Sequence, residues 1–136
     1  MTWSIIARNA QGHFGMAIAS RFFAVGALCL YSRRGTGALS TQALMNPRYG
    51  PEGIDALVAG QPPEAVIAAL TGADAGHAHR QIHLMGAHGA PVAFTGEACI
   101  DWCGHRVFED FSVAGNMLAG PQVLDETARA FQASGL

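Results

Sequence analysis

The chain has 136 residues, a formal net charge of −2 and an apolar content of 50%, which together predict one globular domain with its own hydrophobic core rather than a disordered segment. All eight basic residues are arginine and the ten acidic residues outnumber them, so the charge gives no reason to expect a nucleic-acid partner. The sequence has no apolar run long enough to cross a bilayer, no signal-peptide pattern and an odd number of cysteines, which together predict a cytoplasmic protein without a membrane partner.

Four strands are predicted in the first third of the chain. Residues 2–8 and 13–20 are short apolar runs on either side of an Asn/Gly-containing break, a pattern typical of a β-hairpin. Residues 22–32 are almost continuously apolar, which predicts a strand buried on both faces. A fourth strand is expected over residues 36–44, after an Arg/Gly turn.

Two short helices are predicted after a loop at residues 46–51. Pro51 fits the first turn of a helix that runs to about Ala59, and a second helix runs from Pro63 to about Thr71. Apolar residues at helical spacing would form the buried stripe of each helix. These are Ile54, Leu57 and Val58 in the first helix, and Val66, Ile67 and Leu70 in the second.

The second half of the chain is predicted to add strands and a closing helix. Residues 81–86 and 91–95 form a hairpin, residues 96–107 are irregular, and residues 111–116 form a last strand. Gly120 opens the closing helix, whose inward residues are Val123, Leu124, Ala128 and Phe131. This order of elements predicts antiparallel strands with helices on the outside, a layered α+β domain.

Thr2 is the first candidate for chemistry. A start methionine is usually removed when a small residue follows it, and Thr2 would then have a free α-amine beside its hydroxyl. That combination is a nucleophile and a base in one residue. The alternative is that Thr2 is only a β-former at a strand start. If Met1 stays attached, the amine becomes an amide nitrogen that cannot accept a proton.

Other polar residues near strand ends are candidates for binding. Gln42 and Asn116 have uncharged amides suited to orienting a substrate or stabilising an oxyanion, although they could equally satisfy backbone groups. Arg21, which follows Ser20, could bind a substrate carboxylate in a bidentate contact, and Arg48 could do the same. Both arginines could instead be surface ion-pair partners.

His105 lies in a stretch with Gly and Trp neighbours, which makes it a better candidate for a functional site than an average histidine. The alternative is a structural histidine bonded to a backbone carbonyl. Together with Cys99 and Cys103 it could form a zinc site, but the spacing C-x3-C-x-H lacks a second ligand pair at a standard offset. We therefore expect buried or spare thiols rather than a metal site. Nucleophile-elbow, phosphate-loop and dinucleotide motifs are absent from the sequence, and we expect no cofactor.

Six segments of the sequence resemble a known family. They are TWSIIAR at 2–8, AIASRFFAVG at 17–26, TQALMNPRYG at 41–50, FTGEAC at 94–99, WCGH at 102–105 and FSVAGNMLAG at 111–120. These segments are similar to the DUF1028 proteins, a bacterial and archaeal family of unassigned activity placed in the N-terminal-nucleophile (Ntn) hydrolase superfamily. The similarity extends from end to end, which implies a single Ntn-hydrolase-like domain over residues 1–136.

The resemblance implies a four-layer α-β-β-α sandwich of antiparallel sheets. The opening hairpin also looks like that of proteasome β-subunits, which begin at a threonine and place Asp-Ser-Arg at the end of the second strand. Here Ala19 stands in place of that aspartate, and the lysine those subunits use is absent. DUF1028 proteins usually continue for several dozen residues beyond the position that corresponds to residue 136, so the C-terminal part of the family domain is expected to be missing.

A shortened sandwich would leave a sheet edge exposed, and such edges are normally covered. A partner subunit could complete it, the chain could be a fragment, or the last part could be dispensable. We expect a homo-oligomer.

The function that the resemblance implies is an amidohydrolase of small amides or N-acylated amino acids, in which Thr2 attacks and Asn116, Gln42 or backbone N–H groups hold the oxyanion. The alternative is a non-catalytic, oligomeric binding or assembly module.

Overall fold

A computed structural model describes residues 1–135, which form a mixed α+β domain. Within these residues there are two antiparallel sheets of four strands each. The first sheet has the order β2-β1-β8-β7, and its strands are β1 (Thr2–Arg8), β2 (Phe14–Ser20), β7 (Gly104–Val107) and β8 (Phe111–Asn116). The α+β class and the opening hairpin, in which β1 pairs with β2, are confirmed.

The second sheet has the order β3-β4-β5-β6. Its strands are β3 (Leu30–Arg33), β4 (Gly37–Ala43), β5 (Arg80–Gly86) and β6 (Val92–Thr95). The predicted hairpin in the second half of the chain is confirmed, because β5 pairs with β6. The inward residues of β1 alternate with outward ones, so that Ser4 and Ile6 are buried towards the second sheet.

Helices pack on both sheets. Helix α2 (Tyr49–Val58) contacts β3 and β4 of the second sheet, and α3 (Pro63–Gly72) contacts β5 and β6. Helix α4 (Gln122–Ser134) contacts β8 of the first sheet. The predicted buried stripes are confirmed at Leu57 in α2, at Val66 and Leu70 in α3, and at Leu124 and Ala128 in α4. The prediction for Val58 was wrong: it is the last residue of α2 and is 47% exposed, because the helix end extends past the packed surface. Between the sheets, Ile6 contacts Ala38 and Met85, and all three are fully buried.

Two predicted elements were wrong. Residues 22–32 are not one strand: a short helix α1 (Val25–Cys29) leads into β3, and Phe23 is 93% exposed. A continuous apolar run does not by itself distinguish a buried strand from other structure, and Ala24 adopts a left-handed conformation that breaks the strand. Strand β7 also lies within the stretch expected to be irregular.

None of the helices formed by residues 1–135 combines the length and apolar character that a membrane-spanning segment requires.

Candidate functional site

The opening strand brings three predicted site residues together. In the strand register, Thr2 lies opposite Ser20 on one side and opposite Asn116 on the other. The Thr2 Oγ1 atom lies 2.8 Å from Ser20 Oγ. Since Ser20 Oγ donates to the Met1 carbonyl oxygen at 3.2 Å, Thr2 is the donor in the bond between the two hydroxyls. Ser20 therefore orients the Thr2 hydroxyl at the end of the first sheet.

Thr2 lines two cavities. The large chamber has a volume of about 460 Å³ and a mostly apolar wall that includes Met1, Phe22, Leu44, Ile100 and Met117. The small chamber has a volume of about 100 Å³, and its lining includes Val25, Cys29, Gln42 and Met45. Thr2, Phe22 and Ala43 line both. The Thr2 side chain therefore lies where a large apolar space meets a small one.

Three buried amides connect the site to the interior. Gln81 Oε1 accepts a hydrogen bond from Gln42 Nε2 at 2.8 Å and from Asn116 Nδ2 at 3.1 Å. The Gln81 amide nitrogen in turn faces Thr95 Oγ1 and the carbonyl oxygens of Gly104 and Gly115 at 2.9–3.0 Å. Gln81 is fully buried, so it fixes both amides that were predicted as site residues.

A buried histidine extends this network between the sheets. Ser4 Oγ donates to Gln42 Oε1 at 2.7 Å and lies 2.8 Å from His83 Nε2. Because the single Ser4 hydrogen points to Gln42, His83 Nε2–H donates to Ser4, and His83 Nδ1 accepts from Ser112 Oγ at 2.8 Å. Burial, with a smaller contribution from His105, lowers the pKa of His83 to about 3. The ring is therefore neutral at physiological pH.

His105 does not line either chamber. It is part of β7, and its Nδ1 atom lies 2.9 Å from Thr95 Oγ1. Burial first, and Arg106 second, lower the pKa of His105 from its ordinary value. Its connection to the site runs through Thr95 and Gln81, so a direct substrate contact is not supported.

The two predicted arginines are in different positions. Arg21 is exposed, lines the large chamber and makes no ion pair or hydrogen bond with any residue in the described part of the chain. Arg48 is outside both chambers and pairs with Glu52 on α2, with Arg48 Nη2 at 2.7 Å from Glu52 Oε1. Arg21 is therefore available to an anionic ligand. Arg48 instead forms a surface ion pair, as the alternative interpretation predicted.

The predicted zinc ligands do not form a site. Nowhere in residues 1–135 do three or more His, Cys, Asp or Glu side chains form a group that could hold a metal ion. Cys99 Sγ contacts the Arg80 carbonyl oxygen at 3.3 Å, and Cys103 Sγ contacts that of Cys99 at 3.5 Å. These thiols point to backbone acceptors rather than to a shared centre with His105.

The cysteines are also poor nucleophiles. Burial raises the pKa of the Cys29 and Cys99 thiols, and burial together with Asp101 raises the pKa of Cys103 to about 11. The thiolate is the reactive form of cysteine. All three thiols therefore stay protonated at neutral pH.

Asp74 supports the wall of the large chamber from outside. Its carboxylate accepts hydrogen bonds from Asn46 Nδ2 at 3.1 Å, the Tyr49 hydroxyl at 3.0 Å and Arg80 Nε at 2.8 Å, and Arg80 also donates to the Leu44 carbonyl oxygen. The Arg80 guanidinium holds the pKa of Asp74 well below its usual range. Burial, and then the bond to Asp74, raises the pKa of Tyr49 to about 12. This cluster fixes the backbone at Leu44.

Two lining residues have left-handed backbone conformations. Ala43 has φ 68° and Met117 has φ 55°, and neither is a glycine. Such conformations cost about 1–3 kcal/mol each and persist where the surrounding structure holds them, often at functional sites. Here the Met117 amide donates to the Ile100 carbonyl oxygen at 2.9 Å, and the Leu44 amide donates to that of His79 at 3.2 Å.

Several residues of the site were not predicted from the sequence. His79, Phe22, Leu44, Ile100 and Met117 line the large chamber, and they come from five separate segments between the strands and helices. One signal was available for the interior: Ser4 occupies the inward position between Thr2 and Ile6 in an otherwise apolar strand. A polar residue at such a position indicates a buried hydrogen bond to the facing sheet.

Comparison with known proteins identifies the family. A family model described as "Family of unknown function (DUF1028)" matches residues 2–136. The crystal structure of a DUF1028 protein from Silicibacter pomeroyi is similar, with a TM-score of 0.94 and 34% sequence identity; the alignment covers 99% of this chain and 63% of that one. This chain therefore spans less than two thirds of the length of that relative. No curated protein matches the sequence. On the match over nearly its whole length, the chain belongs to the DUF1028 family.

Proposed function

We propose that the protein is an Ntn-type amidohydrolase whose nucleophile is Thr2 after removal of Met1. The observation that supports this most directly is the position of Thr2, which lines both chambers opposite Asn116 and whose Oγ1 atom lies 2.8 Å from Ser20 Oγ. The proposal includes the four-layer α-β-β-α architecture of that superfamily. Two facing antiparallel sheets with helices packed on the outer side of each are consistent with it.

In the proposed reaction, Thr2 Oγ1 attacks the carbonyl carbon of an amide while its proton passes to the free α-amine. An ester bond to Oγ1 forms, the C–N bond breaks, and the proton moves from the α-amine to the departing nitrogen. Water then adds to the ester and releases the carboxylic acid, which restores the Thr2 hydroxyl. The α-amine serves as base in both halves of the reaction.

Asn116 is better placed than Gln42 to stabilise the oxyanion. Asn116 lines the large chamber and uses Nδ2 for one bond to Gln81, which leaves its second N–H for the tetrahedral oxygen. Gln42 lines only the small chamber, and both ends of its amide are engaged with Ser4 and Gln81, so we assign it a positioning role. One oxyanion donor contributes about 3 kcal/mol to lowering the barrier in other hydrolases.

The test is mass spectrometry of the native protein after reaction with a sulfonyl fluoride, an electrophile that labels activated hydroxyls. We expect the N-terminal peptide to lack Met1 and to carry one adduct on Thr2. Thr2→Ala should abolish the adduct and amine release from N-acetyl amino acids, and Thr2→Ser should retain both. Thr36→Ala, a change outside both chambers, is the control. Met1 retained on protein that releases amine, or full turnover by Thr2→Ala, would exclude the mechanism.

A second candidate is the non-catalytic oligomeric module, which one observation favours. Around the large chamber, Phe22, Leu44 and Ile100 are 55%, 65% and 63% exposed, and grouped exposed apolar side chains often mark interaction sites. In that case, sedimentation should show an oligomer that Ile100→Asn dissociates, and the sulfonyl fluoride should leave Thr2 unlabelled. Labelling of Thr2 in the monomer would exclude it.

A further inference from the structure

The two chambers that meet at Thr2 differ in volume and in lining. We propose that the substrate is a short-chain N-acyl derivative of an amino acid with a large apolar side chain, with the side chain in the large chamber, the carboxylate on Arg21 and the acyl group in the small chamber. This inference rests on the amidohydrolase function proposed above and specifies its substrate class.

The large chamber is the site for the apolar side chain. Its volume is about 460 Å³ while Met1 forms part of its wall, and removal of Met1 enlarges it; volumes of about 300–1,000 Å³ are usual for small-molecule sites. The wall that remains includes Phe22, Leu44, Ile100 and Met117, and no acidic residue of the described chain lines it. Burying an aromatic or branched aliphatic side chain there removes apolar surface from water on both partners, which should strengthen binding about 10- to 100-fold over glycine.

Arg21 is the site for the carboxylate. Arg21 is an exposed residue of the large-chamber lining and has no ion-pair or hydrogen-bond partner within residues 1–135. Arginine remains charged at every physiological pH and matches a carboxylate with two parallel hydrogen bonds. A ligand with an apolar body in the chamber and a carboxylate at Arg21 therefore uses both features, whereas a neutral amide uses only the first.

The small chamber limits the acyl group. Its volume is about 100 Å³, which leaves room for a fragment of only a few non-hydrogen atoms, such as a formyl or acetyl group. With the scissile carbonyl carbon at Thr2 Oγ1, the acetyl methyl group enters the small chamber and the amide nitrogen faces the large one. Cleavage of the C–N bond and hydrolysis of the Thr2 ester then consume one water and release acetate and the free amino acid.

Binding to the Thr2→Ala protein tests the substrate class without requiring turnover. Isothermal titration calorimetry would compare N-acetyl-L-phenylalanine, N-acetylglycine, N-octanoylglycine and N-acetyl-L-phenylalanine amide. We expect N-acetyl-L-phenylalanine to bind tightest, and each of the other three to bind at least about tenfold more weakly. Tighter binding of N-octanoylglycine would place the bulky group on the acyl side and overturn the proposal. Equal binding of the acid and the amide would exclude the role of Arg21.

Matched variants locate the binding determinants. In the Thr2→Ala background, Arg21→Gln should lower affinity for the acid to that of its amide, and Ile100→Asn should lower affinity for both. Arg33→Gln and Val107→Asn change an exposed arginine and an exposed apolar residue outside both chambers, and should leave affinity unchanged. Loss of affinity in the control variants equal to that in the chamber variants would overturn the assignment.

The outcome also separates this proposal from the proposed function. If the expected binding order is found but wild-type protein releases no acetate and Thr2 is not labelled, the substrate class survives as a ligand class and the nucleophilic mechanism is wrong. If Thr2 is labelled and amides are hydrolysed with the opposite preference, the mechanism survives and the substrate class is wrong.

Discussion

His83 is fully buried between the sheets and uses both ring nitrogens, one towards Ser4 and one towards Ser112. In this arrangement Nε2–H is the donor to Ser4 and Nδ1 is the acceptor from Ser112. Protonation would turn Nδ1 into a second donor facing the Ser112 hydroxyl, and it would place a charge on a fully buried ring. The network is therefore organised around an uncharged imidazole.

This arrangement predicts an acid-sensitive stability. The pKa of His83 is lowered to about 3 in the folded protein, against about 6.5 in an unfolded chain. Above about pH 6.5 both states are neutral and the full stability is present. As pH falls from 6.5 towards 3, only the unfolded state takes up the proton, so the free energy of unfolding falls by about 1.4 kcal/mol per pH unit.

The measurement is urea unfolding of wild-type and His83→Gln proteins from pH 8 to pH 4. At pH 8 the variant should be about 1–3 kcal/mol less stable, because a buried hydroxyl loses its partner. That difference should shrink, and then reverse, as the pH falls. His88→Gln changes an exposed histidine outside this network and is the control for the loss of an imidazole side chain. A difference between wild type and His83→Gln that is constant with pH would show that His83 is not held neutral.

Individual site residues were predictable only where the local sequence places them at strand ends. Thr2, Ser20 and Asn116 come together because β1 pairs with β2 and β8, and the hairpin pattern predicted only the first of these two pairings. Contacts between facing sheets, such as Ser4 to His83, depend on how the sheets stack. No periodicity within a single strand specifies that stacking, so the buried network was not predicted.

At the level of elements, α2 approaches the second sheet through glycine. A Cβ atom on Gly53 would lie 2.5 Å from Leu39 Cδ1, whereas a Cβ atom on Gly72 of α3 would meet nothing within 4 Å. Leu39 is fully buried between α2 and the sheet. Helix α2 can therefore pack closely against the sheet because residue 53 is a glycine without a Cβ atom, although glycine weakens a helix in isolation.

Two Gly→Ala variants separate these effects. Gly53→Ala should destabilise the protein by about 1–3 kcal/mol, because the new methyl group forces Leu39 out of its packed position. Gly72→Ala should be neutral or stabilise by up to about 1 kcal/mol, since alanine has the higher helix propensity and the site is open. Thermal unfolding followed by circular dichroism measures both. Equal shifts for the two variants would show that α2 can move away from the sheet without loss.

The elements themselves were predictable in proportion to their periodicity. Helices α2, α3 and α4 have amphipathic patterns and Pro residues at or near their first turns, and their observed bounds lie within about two residues of those expected. Helix α1 was missed because five residues are too few to show a helical period. Strand β7 was missed because Gly104–Val107 has polar side chains at its centre and pairs only with β8.

On the scale of the whole molecule, the space between the sheets changes character from end to end. The chambers lie at the Thr2 end, the hydrogen-bonded amides and His83 come next, and Ile6 closes the far part with Ala38 and Met85. The buried polar groups thus lie between the chambers and the apolar cluster of Ile6, where they form hydrogen bonds with one another. The sequence indicated the layers but not this gradient, because it arises from the inward positions of several strands at once.

The strands of the first sheet also connect the layers mechanically. The outward residues of β1 join the cluster beneath α4, which contains both tryptophans, Trp3 and Trp102, while its inward residue Ile6 packs between the sheets. A domain of this size usually unfolds in one cooperative step. In a domain that unfolds in this way, a destabilising substitution between the sheets also lowers the stability of the cluster beneath α4.

Ile6→Ala tests this coupling. The substitution should lower the free energy of unfolding by about 2–5 kcal/mol, because it leaves a cavity beside Ala38 and Met85. In urea, the midpoint from tryptophan fluorescence, which reports the α4 layer, and the midpoint from far-ultraviolet circular dichroism, which reports all layers, should fall together. Val58→Ala, at a side chain that is 47% exposed, should change neither midpoint by more than a small amount. If Ile6→Ala leaves the fluorescence midpoint in place while the circular dichroism midpoint falls, the α4 layer unfolds independently and the fold is not one cooperative unit.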